Sequence, residues 1–132
     1  MTTVITYGTF DLFHVGHLKL LERARQKGDK LIVGVSSDEF NAEKGKRCVV
    51  PFVERAEIVG SLKCVDIVIR EFSWNQKIND IIKHNVDIFT IGSDWRGEFD
   101  YLSEFCRVEY LDRTVGISTT ELKQRISSRV LK

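Results

Sequence analysis

The chain has 132 residues, 42% of them hydrophobic and 30% charged, and a net charge of +1. That suits one domain spanning residues 1–132 with a modest core, and it supplies no broad basic face for nucleic acid. No apolar run reaches membrane-spanning length and no basic-then-apolar leader is present, so a cytoplasmic protein without membrane insertion is predicted.

Strand-like and helix-like patterns alternate along the chain. Val4 to Tyr7 is a short β-prone run that ends at Gly8. His14 to Lys27 carries Val15, Leu18, Leu21 and Ala24 at helical spacing, with Gly28 placed to cap it. Leu31 to Val35 is continuously apolar, as in a strand buried on both faces. Asn41 to Pro51 is a charge-rich loop with one glycine among lysines, read as a mobile flap. Pro51 opens a helix through Ile58 and Leu62. Val65 to Ile69 reads as a third strand, and Asn75 to His84 as a helix with Ile78, Ile81 and Ile82 inward. Val86 to Ile91 is a fourth strand, a short helical piece follows near Tyr101, and Val108 to Leu111 is a fifth strand. A helix from Ser118 to about Val130 completes the pattern. The alternation predicts an α/β fold: a doubly wound, Rossmann-like, parallel five-stranded sheet with helices on both faces. Ligands of such folds bind beyond the carboxyl ends of the strands, where strand order reverses.

Chemistry-bearing residues cluster at those ends. In "TYGTFDLFHVGHLKLLERA" the first strand hands over to the first helix. Gly8 offers close backbone approach, and residues 14–17 form a helix start where free N–H groups collect, a natural seat for phosphate. His14 and His17, three apart, share a helix face, with Gly16 leaving room between them. The pair could also bind zinc, although no third ligand sits at a supporting spacing, or serve only capping and packing. "RTVGISTTEL" repeats the pattern after the last strand: Arg113, Thr114, a turn at Gly116, then a helix start at Ser118, Thr119 and Thr120 with Glu121 in capping-box position. It reads as a well-capped helix or as a second phosphate cradle. Lys44, Lys46 and Arg47 form either a solvated charge run or a flap that neutralises phosphates. After the fourth strand, Gly92 allows close approach, Asp94 offers acceptors and Trp95 a flat face. Trp74 either packs or contacts ligand. Cys48, Cys64 and Cys106 are odd in number and widely spaced, which argues against a disulfide framework or a thiolate metal site.

The segments "YGTFDLFHVGH", "SSDEFN", Lys44-x-Lys46, Arg55, Val65-Asp66, "DWRGEFD" and "RTVGISTT" together resemble the HxGH nucleotidyltransferase superfamily, and within it the cytidylyltransferases that act on glycerol 3-phosphate. The resemblance covers nearly the whole chain. It implies a single nucleotidyltransferase domain that transfers CMP from CTP to sn-glycerol 3-phosphate, giving CDP-glycerol and pyrophosphate for teichoic-acid or related surface polymers. It implies Mg²⁺ with the nucleotide, and a homodimer. By the same resemblance His14 and His17 meet the α- and β-phosphates. Thr9, Phe10 and Lys46 line the nucleotide pocket with Gly8, Val15 and Gly16. Lys44 and Lys77 bind the acceptor's phosphate. Arg113, Thr114, Val115, Gly116, Ile117, Ser118, Thr119 and Thr120 hold the triphosphate, Gly92, Asp94 and Trp95 surround the nucleoside, and Asp11 and Arg55 match nucleotide-binding positions of the active site. His14, His17, Lys44 and Arg113 are the catalytic candidates. A same-fold transferase using ATP or another phosphorylated alcohol such as ethanolamine phosphate, and a non-catalytic nucleotide-binding module, are the competing expectations. One departure stands out: where the family carries Arg and an aromatic before Val65-Asp66, this chain has Lys63 and Cys64, and lysine lacks the planar fork of arginine.

Overall fold

The computed structural model describes residues 1–112 and 119–130. Five strands, β1 (Thr3–Gly8), β2 (Lys30–Ser36), β3 (Ile67–Glu71), β4 (Ile88–Gly92) and β5 (Arg107–Leu111), form one sheet in the order β3-β2-β1-β4-β5. Every pairing is parallel. Strand order reverses between β1 and β4, so the crevice beyond Gly8 and Gly92 is the fold's natural ligand position.

The helices are α1 (Val15–Arg25), α2 (Asp38–Glu43), α3 (Phe52–Gly60), α4 (Gln76–Lys83) and α5 (Thr119–Val130). Alternation along β1 divides the core. Val4 packs with Leu21 and Ala24 of α1 and Val59 of α3 on one face, while Ile5 and Tyr7 pack with Ile81 of α4, Phe99 and Leu102 on the other. Leu31, Ile32, Val33 and Val35 of β2 are wholly buried between these layers, as the unbroken apolar run requires. Each such side chain contributes about 1.5–3 kcal/mol on burial.

Several expectations shift. Helix α1 ends at Arg25, with Gln26 as its cap, and Gly28 serves instead to let the chain pass the Thr2 carbonyl, which a Cβ would meet at 2.6 Å. Strand β3 begins two residues later than expected. Val65 is in the core but lies outside the strand, and Asp66 accepts from the Leu31 backbone N–H. The fourth strand likewise starts at Ile88 rather than Val86. Helix α2 is not among the predicted elements, although its signal is present: Ser37 caps it through a hydrogen bond from the Phe40 N–H, and Asp38 and Glu39 fill its first turn. At the departure from the family pattern, Lys63 is exposed and Cys64 packs against the core. Among the described residues, no helix is long and apolar enough to cross a membrane.

Candidate active site

The turn from β1 into α1 is tightly determined. Phe10 (φ 55) and Leu12 (φ 50) both take left-handed backbone conformations, which residues other than glycine adopt at a cost. The bend folds Phe10 back over Gly8, where a Cβ would meet its ring at 2.8 Å. The missing side chain of Gly8 thus makes room for a ring of the protein, while Gly8 itself still lines the cavity beyond the strand ends. Phe10 itself is buried in the core rather than open to a nucleotide pocket. Its ring stands edge-on to His17 at 5.6 Å, and Phe13 lies 5.3 Å from the same imidazole.

His14 is the N-cap of α1 and His17 its third residue, and together they form a capping box built from imidazoles. His14 Nδ1 accepts from the Gly16 N–H at 3.0 Å, and His17 Nδ1 accepts from the His14 N–H at 3.1 Å. The capping expectation is therefore met, by an arrangement that fixes the orientation of both rings. With each Nδ1 occupied as an acceptor, the proton of the neutral ring resides on Nε2. The rings stack with centroids 3.9 Å apart. Burial pushes the His14 pKa down, and burial followed by the neighbouring His14 pushes that of His17 down to about 4. Both are neutral donors at neutral pH. His14 Nε2 is buried and has no hydrogen-bond partner among the described residues. Val15 is exposed just beside it.

Asp11 and Arg55 organise the loops around this turn. Both Asp11 oxygens accept backbone N–H groups, from Val49 at 2.8 Å and Val50 at 2.9 Å, and Lys123 of α5 lies 3.3 Å away. Burial works to raise the Asp11 pKa, but these donors outweigh it and hold the carboxyl below its usual range. Arg55 is 1% exposed. Its Nε donates to the Val50 carbonyl, its Nη1 to those of Thr9 and Ser36, and its Nη2 to Asp38. Expected to bind nucleotide, this guanidinium is instead committed to four protein acceptors and sets the positions of β1, β2, α2 and the 44–50 loop.

That loop is pinned rather than loose. Gly45 turns it with φ 75. The Lys46 N–H returns to the Asn41 carbonyl at 2.8 Å, and its far end is the Asp11 clamp. Lys44 and Lys46 are thereby brought to a cavity of about 110 Å³, lined also by Thr9, Glu71, Trp74, Lys77 and Trp95. Lys44 Nζ lies 4.3 Å above the Phe40 ring and 5.4 Å from that of Trp74. Burial lowers its pKa, Glu71 opposes that shift, and Lys46 and Lys77 add to it.

Lys77, in the first turn of α4, is buried. Its Nζ donates to Glu71 Oε2 at 2.7 Å and sits among the rings of Tyr7, Trp74 and Phe99 at 4.7, 5.2 and 5.3 Å. Tyr7 fits there because Gly34 on the neighbouring strand has no side chain to obstruct its ring. The Tyr7 hydroxyl donates to Asp80 at 2.7 Å, and burial followed by that carboxylate raises its pKa. Gln76 accepts from the Ser73 N–H at 3.0 Å and donates to the Arg70 carbonyl, which fixes the turn carrying Trp74. Trp74 stands edge-on to Phe40 and faces Trp95 at 5.9 Å, so it both packs and lines the cavity.

Gly92 ends β4 beside open space, and Ser93–Trp95 form a short 3-10 turn that carries Trp95 to the cavity and leaves Asp94 exposed. The expected cradle at Arg113, Thr114, Val115, Gly116, Ile117 and Ser118 lies outside the described residues. Thr119 and Thr120 open α5, and only their backbone is described. The structure brings Gly8, Thr9, Lys44, Lys46, Lys77 and Trp95 together around one cavity and adds Glu71 and Tyr7, which the sequence did not single out, while His14 and His17 form a stacked pair of their own on the turn that follows Thr9. No cluster of three metal-ligating side chains occurs among the described residues.

Residues 5–129 match the model of the cytidylyltransferase-like family. The chain is 56% identical over 128 residues to a protein of Bacillus spizizenii named glycerol-3-phosphate cytidylyltransferase, covering 97% of this chain and 99% of that one. It is 50% identical over 132 residues to one of the same name from Staphylococcus aureus, covering both chains in full. Among solved structures, a lipopolysaccharide core biosynthesis protein of Thermoplasma volcanium superposes with a TM-score of 0.73 at 27% identity, covering 86% of this chain and 97% of that one.

Proposed function

We infer the activity from the premise that this chain belongs to the cytidylyltransferase-like family: it is a nucleotidyltransferase that transfers CMP from CTP to sn-glycerol 3-phosphate, releasing pyrophosphate. High identity to the Bacillus and Staphylococcus enzymes over essentially their whole length supports the acceptor as well as the reaction. The observation that carries the reading to this chain's own atoms is the buried, unpartnered Nε2 of His14. A buried donor without an acceptor is costly, and at a helix start the acceptor of matching chemistry is a phosphate oxygen.

The reaction follows from positions and charge. An oxygen of the glycerol phosphate attacks the α-phosphorus in line, and pyrophosphate leaves. The attacking group is already an anion, so no general base is needed. Lys44, Lys46 and Lys77 gather two anions that otherwise repel, which is the principal requirement of such chemistry. The Nε2–H groups of His14 and His17 donate to the charge that builds on the phosphates. Their neutrality is an advantage, since the donors are held by backbone bonds and need no reorganisation. Arg113 and the segment through Thr120 complete the grip on the triphosphate in this reading. Mg²⁺ with CTP belongs to the same proposal, and its charge would help to neutralise the triphosphate that the site gathers.

A homodimer belongs to the same proposal. Val53 and Ile58 of α3 are exposed apolar side chains that a second copy would cover, and sedimentation velocity tests it. The charged substrates support a cytoplasmic location, and CDP-glycerol suits the synthesis of surface glycerol-phosphate polymers. The decisive assay is pyrophosphate release from CTP with sn-glycerol 3-phosphate, run beside ATP and phosphoethanolamine. Turnover confined to the first pair is expected. Equal turnover with either control overturns the assignment.

A further inference from the structure

Glu71 ends β3 at the ligand side of the sheet and lines the cavity with Lys44, Lys46 and Lys77. A carboxylate there opposes the gathering of an anion, so its presence calls for a compensating role. Its Oε2 takes Lys77 at 2.7 Å in a pair that is nearly sealed from solvent, with side chains 1% and 6% exposed. Its second oxygen, Oε1, has no hydrogen-bond partner among the described residues. An ionised carboxylate accepts and never donates. Lys77, boxed by three rings, holds it in one place.

We propose that Glu71 is a specificity-determining residue whose Oε1 accepts a hydrogen bond from a hydroxyl of the acceptor's polyol end. This rests on the reading that the acceptor is a glycerol phosphate. Lys44 and Lys77 recognise the phosphate, which every phosphorylated alcohol carries. Glu71 recognises what distinguishes the rest of the molecule: a diol supplies donors to the carboxylate oxygen that faces the cavity, whereas an alkyl chain supplies none. Sites built to hydrogen-bond a hydroxyl reject analogues that lack it far more strongly than apolar pockets reject a misfit.

The test compares kcat/KM, with CTP, for sn-glycerol 3-phosphate and for propyl phosphate, which has no hydroxyls. Wild type and Glu71→Gln are measured, and thermal unfolding checks that the variant is folded. The glutamine amide keeps the shape of the carboxylate and can still accept from Lys77 through its oxygen, but it then turns an N–H toward the substrate, so a hydroxyl that donated to an ionised oxygen can only accept from a neutral amide, a weaker bond. The wild-type preference for the hydroxylated substrate should fall by roughly tenfold or more in the variant, mostly through glycerol 3-phosphate. Glu71→Asp, which keeps the charge and withdraws it by one methylene, should narrow the preference in the same sense, and it serves if the glutamine variant does not fold. Equal losses on both substrates would mean that Glu71 only props Lys77, and that result overturns the proposal. A wild-type protein that turns over both substrates equally also overturns it. Absence of any pyrophosphate from wild type with CTP and glycerol 3-phosphate is a different failure, and it removes the function reading itself.

Discussion

The imidazole of His14 lies face to face with that of His17, 3.9 Å apart and 25° from parallel, and each commits its Nδ1 to a backbone N–H. The first turn of α1 dictates a single tautomer for both rings. Nitrogen chemical shifts at pH 7 should therefore report protonated Nε2 and unprotonated, hydrogen-bonded Nδ1 for both residues. A mixture of tautomers would show that the capping box does not persist in solution.

Because His17 has two roles, its substitutions should separate them. His17→Ala removes a phosphate donor and half of the capping box, so turnover should drop by roughly 10²–10³ and stability by about 1 kcal/mol. His17→Asn offers an oxygen to the His14 N–H and should recover much of the stability without the rate. Pyrophosphate release and urea unfolding on the two variants check this.

Arg55→Lys keeps a positive charge but can serve only part of a set of four acceptors. The carbonyls of Thr9, Ser36 and Val50 lose their shared donor, at a cost of about 3 kcal/mol. Since the guanidinium positions Thr9 and the lysine loop, CTP affinity by calorimetry should weaken in the same variant at temperatures where it remains folded.

The depressed histidine pKa values make a stability prediction with a definite sign. His17 is held at about 4 against an ordinary 6.5, so between those values the unfolded chain binds a proton that the native protein refuses. Its contribution is fully present above pH 6.5 and is lost as pH falls toward 4. His14 acts in the same direction. Denaturation midpoints should fall from pH 7 to pH 5, and His17→Asn should flatten that slope by about 1 kcal/mol, allowing for the ring's partial exposure.

Gly34→Ala would place a methyl group against the Tyr7 ring, which has no free space to retreat into because its hydroxyl is tied to Asp80. A loss of about 1–3 kcal/mol is expected. Displacing Tyr7 also disturbs the aromatic box around Lys77, so the KM for glycerol 3-phosphate should rise. A thermal melt and a KM measurement on one preparation suffice.

Much of this was legible in the sequence, because the signals were periodic or local. The unbroken apolar run at β2 and the stripe of Leu21 and Ala24 marked the layers, and the glycine that ends β1 and the one that ends β4 marked the ligand side. The histidine pair was readable because both residues share one helical turn. What escaped depends on contacts between distant segments. Nothing near Arg55 says that its partners are Thr9 and Ser36, 46 and 19 residues away, so it read as a nucleotide ligand. Glu71 carries no motif, and its role emerges only when α4 sets Lys77 against it. The reason for Gly8 was also invisible, because Phe10 reaches it through an unusual backbone bend that composition does not announce.

The Asp11 clamp divides the 44–50 loop into two territories. Its anchored end is continuous with the folded interior, whereas the stretch carrying the two lysines is an arch suspended between the end of α2 and that anchor. Evolution or design could recolour the lysine tips of the arch while leaving the foundations untouched, so anion capture and thermostability are separate dials on this scaffold. Changing the side chains of Lys44 and Lys46 would turn the first with little movement of the second.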